Sequence, residues 1–198
     1  MARPHLTLSQ RYFDAVAYAS EAHAWQARKG GNIAYMSHLL GVSSLIIEAG
    51  GDEDQAIAGL LHDVVEDQGG LQRLADVRRR FGDRVAGFVL GCSDSLDGDD
   101  GYWMDYWERK QTYLDRLETE PPELVMVSIA DKVHNARALV TDLEYSGVTV
   151  FNKFHGSARE IIHYYKECLR IGRAASVSHV LTSPLEVAVR DIELMVYG

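Results

Sequence analysis

The chain has 198 residues, 46% of them hydrophobic and only 4 of them proline, a balance that suits one globular domain with a substantial core. A net charge of -9 argues against a general nucleic-acid or anionic-membrane binder, since both need a basic surface excess. The opening MARPHLTLSQ has no apolar signal core, and no later stretch nears the roughly 20 apolar residues that span a bilayer, so a cytoplasmic protein with a small-molecule partner is expected.

Apolar residues recur at spacings of three and four without sustained alternation, which predicts an all-α fold. A first helix is predicted over about residues 9–28, opened by a capping box Thr7-x-x-Gln10. Gly30-Gly31 then break the pattern, and 29–35 reads as loop. A second helix over about 37–49 ends at Gly50-Gly51. The third begins after Asp52, carries Ala56, Ile57, Leu60, Leu61, Val64 and Val65, and closes at Gly69-Gly70. Short helices over 71–81 and 83–93 flank Gly82.

Asp94 to Gly101 reads as a solvated acidic loop; placing Gly101 as the glycine of an EF-hand puts Leu96 at the first ligand position, which excludes that calcium motif. Helices follow over about 103–117 and, after Pro121-Pro122, over 123–143, the most apolar of all. A last pair is predicted over 151–173 and, after Pro184, over 185–197. One domain over 1–198 is expected, with a motif-bearing core over about 9–143 and C-terminal helices over about 151–197. Cys92 and Cys168 form no metal or redox spacing and read as packed thiols.

Chemistry concentrates in two helical segments. His62-Asp63-Val64-Val65-Glu66-Asp67 interrupts a core-like helix with four ionisable groups; at about 100° per residue, His62 and Glu66, and likewise Asp63 and Asp67, share a face. An adjacent His and Asp reach one metal ion over their shared edge, leaving Glu66 and Asp67 beside it as proton-transfer candidates. Asp131 lies at the end of the apolar run Leu124 to Ala130, where a buried carboxylate needs a cation or several donors. Asn135, one turn on, points the same way. With His38 at the start of the second helix, the set His38, His62, Asp63 and Asp131 offers two imidazoles and two carboxylates, suited to a borderline divalent ion such as Mn, Fe, Co, Ni or Zn. Four such ligands around an octahedral ion leave two positions for water and a phosphate oxygen, the design of a metal-assisted phosphohydrolase.

The order His38, His62-Asp63, Asp131 resembles the pattern of HD-domain phosphohydrolases. The flanking segments Ala22 to Lys29, Tyr35 to His38, Leu60 to Asp67, Phe81 to Ala86, Glu108-Arg109-Lys110 and Ala130 to Arg137 are similar to the hydrolase half of RelA/SpoT enzymes. The resemblance implies a single helical HD bundle that binds manganese and removes pyrophosphate from the 3′ position of the guanosine alarmones ppGpp and pppGpp. It further implies that Glu66 helps activate the water, that Asp67 assists the departing 3′ oxygen, and that Asn135 holds the ribose or a phosphate. Arg28, Lys29, Lys110, Lys132, Arg137 and Lys153 are the basic residues beside these motifs and the expected countercharge for the phosphates. Tyr164-Tyr165 resembles an aromatic pair that approaches the nucleotide in small alarmone hydrolases. Two departures stand out: His38-Leu39 replaces the family's His-Pro, and Asn32-Ile33-Ala34-Tyr35 replaces its Gly-x-Pro-Tyr. No residues resembling an alarmone-synthesising half are present, so a hydrolase alone is expected. The rival readings are an HD enzyme acting on NADPH or another nucleotide, and a catalytically silent nucleotide-binding HD module.

Overall fold

The computed structural model describes residues 6–94 and 106–198, and among them the regular structure is helical. In chain order the elements are α1 (Gln10–Ala22), α2 (Met36–Glu48), α3 (Glu53–Leu61), α4 (Val64–Gln68), α5 (Gly70–Phe81), α6 (Asp83–Cys92), α7 (Tyr106–Leu117), α8 (Pro122–Ser146), a 3-10 helix (Gly147–Lys153), α9 (Ala158–Ala174) and α10 (His179–Tyr197). No helix among the described residues is long and apolar enough to cross a membrane.

The centre of the fold is α8, which packs against α2, α3, α6, α9 and α10. Pro122 at its first turn has no amide proton to leave unpaired, so the helix starts there at little cost. From Leu124 to Val133 nearly every α8 side chain is buried, the pattern of a helix enclosed on all sides. One apolar cluster runs from Ala15 in α1 to Ile192 in α10.

Two devices bring α2 and α3 together. Asp52 and Gln55 form a reciprocal capping box at the start of α3, and Gln55 also donates to the Glu123 carbonyl at 2.9 Å, tying that end to α8. Gly59 faces α2 so closely that a Cβ there would lie 2.6 Å from Ile46 Cδ1 and 3.2 Å from Ser43 Cα. That approach sets His62 beside His38.

Several boundaries differ from those expected. Helix α1 stops at Ala22 rather than near Arg28, because 23–35 instead folds back on itself through Arg28 N–H to Ile33 O (2.8 Å) and Tyr35 N–H to Gln26 O (2.9 Å), with Gly30 at φ 85°. Its N-cap is Ser9, which accepts from Arg11 N–H, so the Thr7-Gln10 capping box is replaced by a simpler cap. The third predicted helix is broken at His62-Asp63 into α3 and α4. Helix α8 runs on to Ser146 rather than ending near 143, and the 3-10 helix takes up 147–153, so α9 begins at Ala158 and not near Phe151. Pro184 lies inside α10 rather than before it, since Ser178 caps the helix well ahead of the proline and the helix tolerates one missing hydrogen bond. The acidic stretch 95–101 and the predicted helix start at Trp103 lie outside the described residues. Cys92 and Cys168 are free, and burial pushes their thiols up to about 12 and about 11, away from thiolate reactivity.

Candidate metal centre and active site

His38 stands in the first turn of α2, His62 and Asp63 in the break between α3 and α4, and Asp131 in the enclosed part of α8. His38 Nε2 lies 3.2 Å from His62 Nε2 and 3.2 Å from Asp131 Oδ1, and His62 Nε2 lies 3.6 Å from the same oxygen. One ligand atom from each of these three residues falls within 4.8 Å of the others. Asp63 is at the edge of the group. Its Oδ2 is 2.9 Å from His62 Nε2 and 3.6 Å from His38 Nε2, and it also accepts from the Tyr35 hydroxyl at 2.6 Å.

The donor set fits a divalent cation. His62 Nδ1 faces the Gly59 carbonyl at 2.9 Å; a carbonyl only accepts, so Nδ1 carries the proton and Nε2 turns a lone pair toward Asp63 and Asp131. A buried lone pair facing two carboxylates is repulsive unless a cation lies between them. A proton can serve: burial opposes it, but the charge of Asp63 and hydrogen bonds to Asp131 and Asp63 hold the His62 imidazole well above its ordinary value. Against the same burial, His62 holds Asp63, and Lys132 holds Asp131, well below the usual carboxylate range. A divalent ion meets that demand with more charge, and this mixture of imidazole and carboxylate suits Mn, Fe, Co, Ni or Zn.

Asp131 is held from both sides. Asn135 Nδ2 donates to its Oδ1 at 2.5 Å, and Lys132 Nζ binds its Oδ2 at 2.5 Å. Lys132, expected as a phosphate countercharge, is therefore committed to Asp131, with its ammonium 5.1 Å from the Tyr113 ring centre and 5.8 Å from that of Tyr164.

Helix α4 carries Glu66 and Asp67 one turn beyond His62-Asp63. Glu66 accepts from the Asp94 backbone N–H at 3.3 Å, and Asp67 accepts from Gln26 Nε2 at 2.7 Å. Their outer faces reach solvent, but the protein crowding their inner sides raises both: burial, then the charges of Asp94 and Asp63, push Glu66 up to about 7, and burial with Asp63 raises Asp67. A carboxylate poised near neutrality suits general-base work.

A cavity of about 460 Å³ opens beside the cluster, within the roughly 300–1,000 Å³ usual for small-molecule sites. Tyr35, Lys132 and Asn135 belong both to its wall and to the shell of the cluster. Arg28, Lys29, Lys110, Lys153 and Tyr164 also line it. Arg28 donates to Asn135 Oδ1 at 2.7 Å, Lys110 binds Asp94 at 2.5 Å, Lys153 pairs with Asp142, and Lys29 stands 5.8 Å from the Phe154 ring centre. Arg137 is exposed and does not belong to this wall. Glu66 and Asp67 lie off the wall as well. A second cavity of about 610 Å³ around Trp107, Ile162 and His163 contains none of these groups, so the smaller one, which adjoins the chemistry, is the candidate site.

Three neighbours of the cluster have no role that the sequence reveals. Tyr35 and His134 stand inside the motif segments without chemistry of their own to mark them. Asp94, expected at the start of a solvated loop, instead buries its side chain between Arg109 and Lys110. Its two basic partners lie 15 and 16 positions away along the chain, a pairing with no local sequence signal.

The HD domain family matches residues 15–159 of the chain. The Drosophila melanogaster protein named guanosine-3′,5′-bis(diphosphate) 3′-pyrophosphohydrolase MESH1 is 31% identical over 134 residues, covering 66% of this chain and 70% of that protein. A Synechocystis protein named probable guanosine-3′,5′-bis(diphosphate) 3′-pyrophosphohydrolase is 30% identical over 125 residues, 63% of this chain. The chain spans only 16% of the length of that relative. A solved structure, described as a metazoan ortholog of SpoT that hydrolyzes ppGpp and plays a role in starvation responses, superposes with a TM-score of 0.73 at 25% identity, covering 94% of this chain and 97% of the other. By family match, relatives and fold, this chain belongs to the HD-domain family.

Proposed function

We propose that the protein hydrolyses the 3′-pyrophosphate of the guanosine alarmones ppGpp and pppGpp, giving GDP or GTP and pyrophosphate, and that the chain forms a single HD-type domain for that purpose. The observation that carries this reading is the convergence of His38, His62 and Asp131, with Asp63 at their edge, beside a nucleotide-sized cavity edged with Arg28, Lys29, Lys110 and Lys153. The names of the similar proteins point to the same substrate.

In this reading His38, His62, Asp63 and Asp131 hold one manganese ion, which supplies Lewis acidity to a phosphoryl oxygen and makes a water more acidic. Glu66 accepts the proton of the attacking water. The water oxygen bonds to the phosphorus nearest the ribose as the bond from that phosphorus to the 3′ oxygen breaks, and Asp67 delivers a proton to the 3′ oxygen. Arg28 and Asn135, already hydrogen-bonded to each other, orient the ribose or a phosphate next to Asp131.

The test is a nucleotide panel screened against several divalent metals. Pyrophosphate release from ppGpp with manganese is expected to exceed phosphate release from NADPH and nucleoside monophosphates. Preference for either of the latter would replace the substrate, and binding without turnover at any metal would leave a silent module.

The pH profile gives a finer check. Glu66 must be ionised to accept a proton, so kcat/KM should rise with pH through about 7. The negative charge of Asp94 contributes to that raised value, so Asp94→Asn removes a repulsion and releases Lys110, and both changes favour the ionised Glu66. The rising limb should move to lower pH in that variant; a limb that stays in place or moves to higher pH would remove Glu66 as the base.

A further inference from the structure

His62 has its tautomer fixed from behind by a backbone carbonyl, but His38 does not. His38 is fully buried, and its Nδ1 meets another imidazole nitrogen, Nδ1 of His134, at 2.9 Å, with the two rings 4.8 Å apart and inclined by 64°. One proton lies between two ring nitrogens at that distance, and which ring owns it decides what His38 shows to the cluster. If it belongs to His38, Nε2 is a lone pair facing His62 and Asp131. If it belongs to His134, a neutral His38 carries its own proton on Nε2, aimed into the space the ion needs.

We infer that His134 is a positioning residue for the metal centre: its Nδ1 accepts the His38 Nδ1 proton and so selects the His38 tautomer that turns Nε2 toward Asp131 and His62. Gly41 is a second, independent sign of this role. It lies within α2, one turn after His38, where glycine is unfavourable for a helix. A Cβ at Gly41 would stand 2.4 Å from both Cδ2 and Nε2 of His134. The helix gives up a side chain at the point where the His134 ring must lie for its Nδ1 to reach His38. Metal-bound imidazoles ordinarily donate their second N–H to a carbonyl, carboxylate or water; here an imidazole takes that part, and His134 also lines the cavity.

The inference rests on the metal-centre part of the proposed function and not on the identity of the nucleotide, so its test reads metal binding. Wild type, His134→Leu, His134→Gln and Gly41→Ala are titrated with Mn2+ and Zn2+ against a competing chelator. His134→Leu should lose roughly 10- to 100-fold in affinity, the usual cost of removing such a partner. Gly41→Ala, which displaces the ring, should lose affinity in the same direction. His134→Gln, whose Oε1 can accept from Nδ1–H, should recover most of the loss. In Zn2+-loaded wild-type protein labelled with 15N-histidine, the shared proton should be bonded to His38 Nδ1 and coupled through the hydrogen bond to His134 Nδ1. Equal affinity of His134→Leu and wild type, or a proton bonded to His134 Nδ1, would overturn the positioning role while leaving the metal centre standing. A wild type that binds neither ion would overturn both.

Discussion

Asp131→Asn is expected to abolish divalent-metal binding and to lower the stability of the metal-free protein by about 3–5 kcal/mol, the usual cost of removing one partner of a buried ion pair. The reason is its double engagement. Oδ1 belongs to the cluster with His38 and His62, while Oδ2 neutralises Lys132, whose ammonium is packed beside Tyr113 and Tyr164. Asparagine leaves that ammonium buried without its counterion. Adding Lys132→Met to Asp131→Asn should restore most of the stability, because an apolar group then fills the site, but should restore no metal binding. Since Asp131 is held below the usual carboxylate range when folded, its contribution is present above the unfolded carboxylate pKa and is lost as pH falls through the folded value. The stability gap between wild type and Asp131→Asn should therefore close in acid. Manganese at 100 times its Kd should add about 2.7 kcal/mol to wild type and nothing to the variant. Urea unfolding with and without metal reads all of these, and Asp131→Asn protein that binds manganese like wild type would end the metal assignment.

The cluster is legible in sequence because charged groups inside apolar helical runs have few ways to be stable. Asp131 after Leu124 to Ala130 calls for a cation or several donors on composition and spacing alone, and His62-Asp63 after Leu60-Leu61 adds two more ionisable groups to a core-like run. How that demand is shared is hidden. Lys132 follows Asp131 directly, and neighbours at i, i+1 do not face each other on a helix, so nothing marks it as the counterion; its long stem curls back to reach the carboxylate. The break at His62-Asp63 is equally silent. Asp63 keeps helical dihedrals, with ψ relaxed to −5°, and the apolar periodicity runs on through Val64 and Val65. On a straight helix Glu66 and Asp67 would share the face of the ligands. The break instead turns Asp63 toward Tyr35 and leaves Glu66 beside Asp94.

The overextension of α1 has a related cause. Ala22 to Ala27 has good helix propensity, but local propensity is a weak prior against tertiary demands. The chain leaves the helix at His23, which packs its ring on Tyr35 at 5.2 Å, and leaves Trp25 fully exposed. The segment that follows delivers Gln26 to Asp67, Arg28 to Asn135 and Tyr35 to Asp63. A continued helix would carry these side chains along its own axis instead of returning them to one site. Of the family departures, Asn32 to Ala34 fall on this same segment, where Ile33 lines the cavity, whereas Leu39 is buried in α2 next to the ligand His38.

Glu66→Gln should separate metal binding from chemistry. Glutamine keeps the size of the side chain and an Oε1 that can accept from the Asp94 N–H, so the surroundings of α4 should retain their shape. None of the converging ligand atoms belongs to Glu66. Metal affinity should therefore stay close to that of wild type, while kcat falls by about 100- to 10,000-fold, the range for loss of a general base. Asp67→Asn should also spare the metal, and its loss of turnover should be smaller for a substrate whose departing oxygen is more acidic and needs less help from a proton donor. A merely structural role for Glu66 predicts the opposite pattern, with lower metal affinity and stability accompanying any loss of rate. Full turnover in metal-loaded Glu66→Gln protein would place the base elsewhere, with Asp67 as the remaining carboxylate of raised pKa on α4.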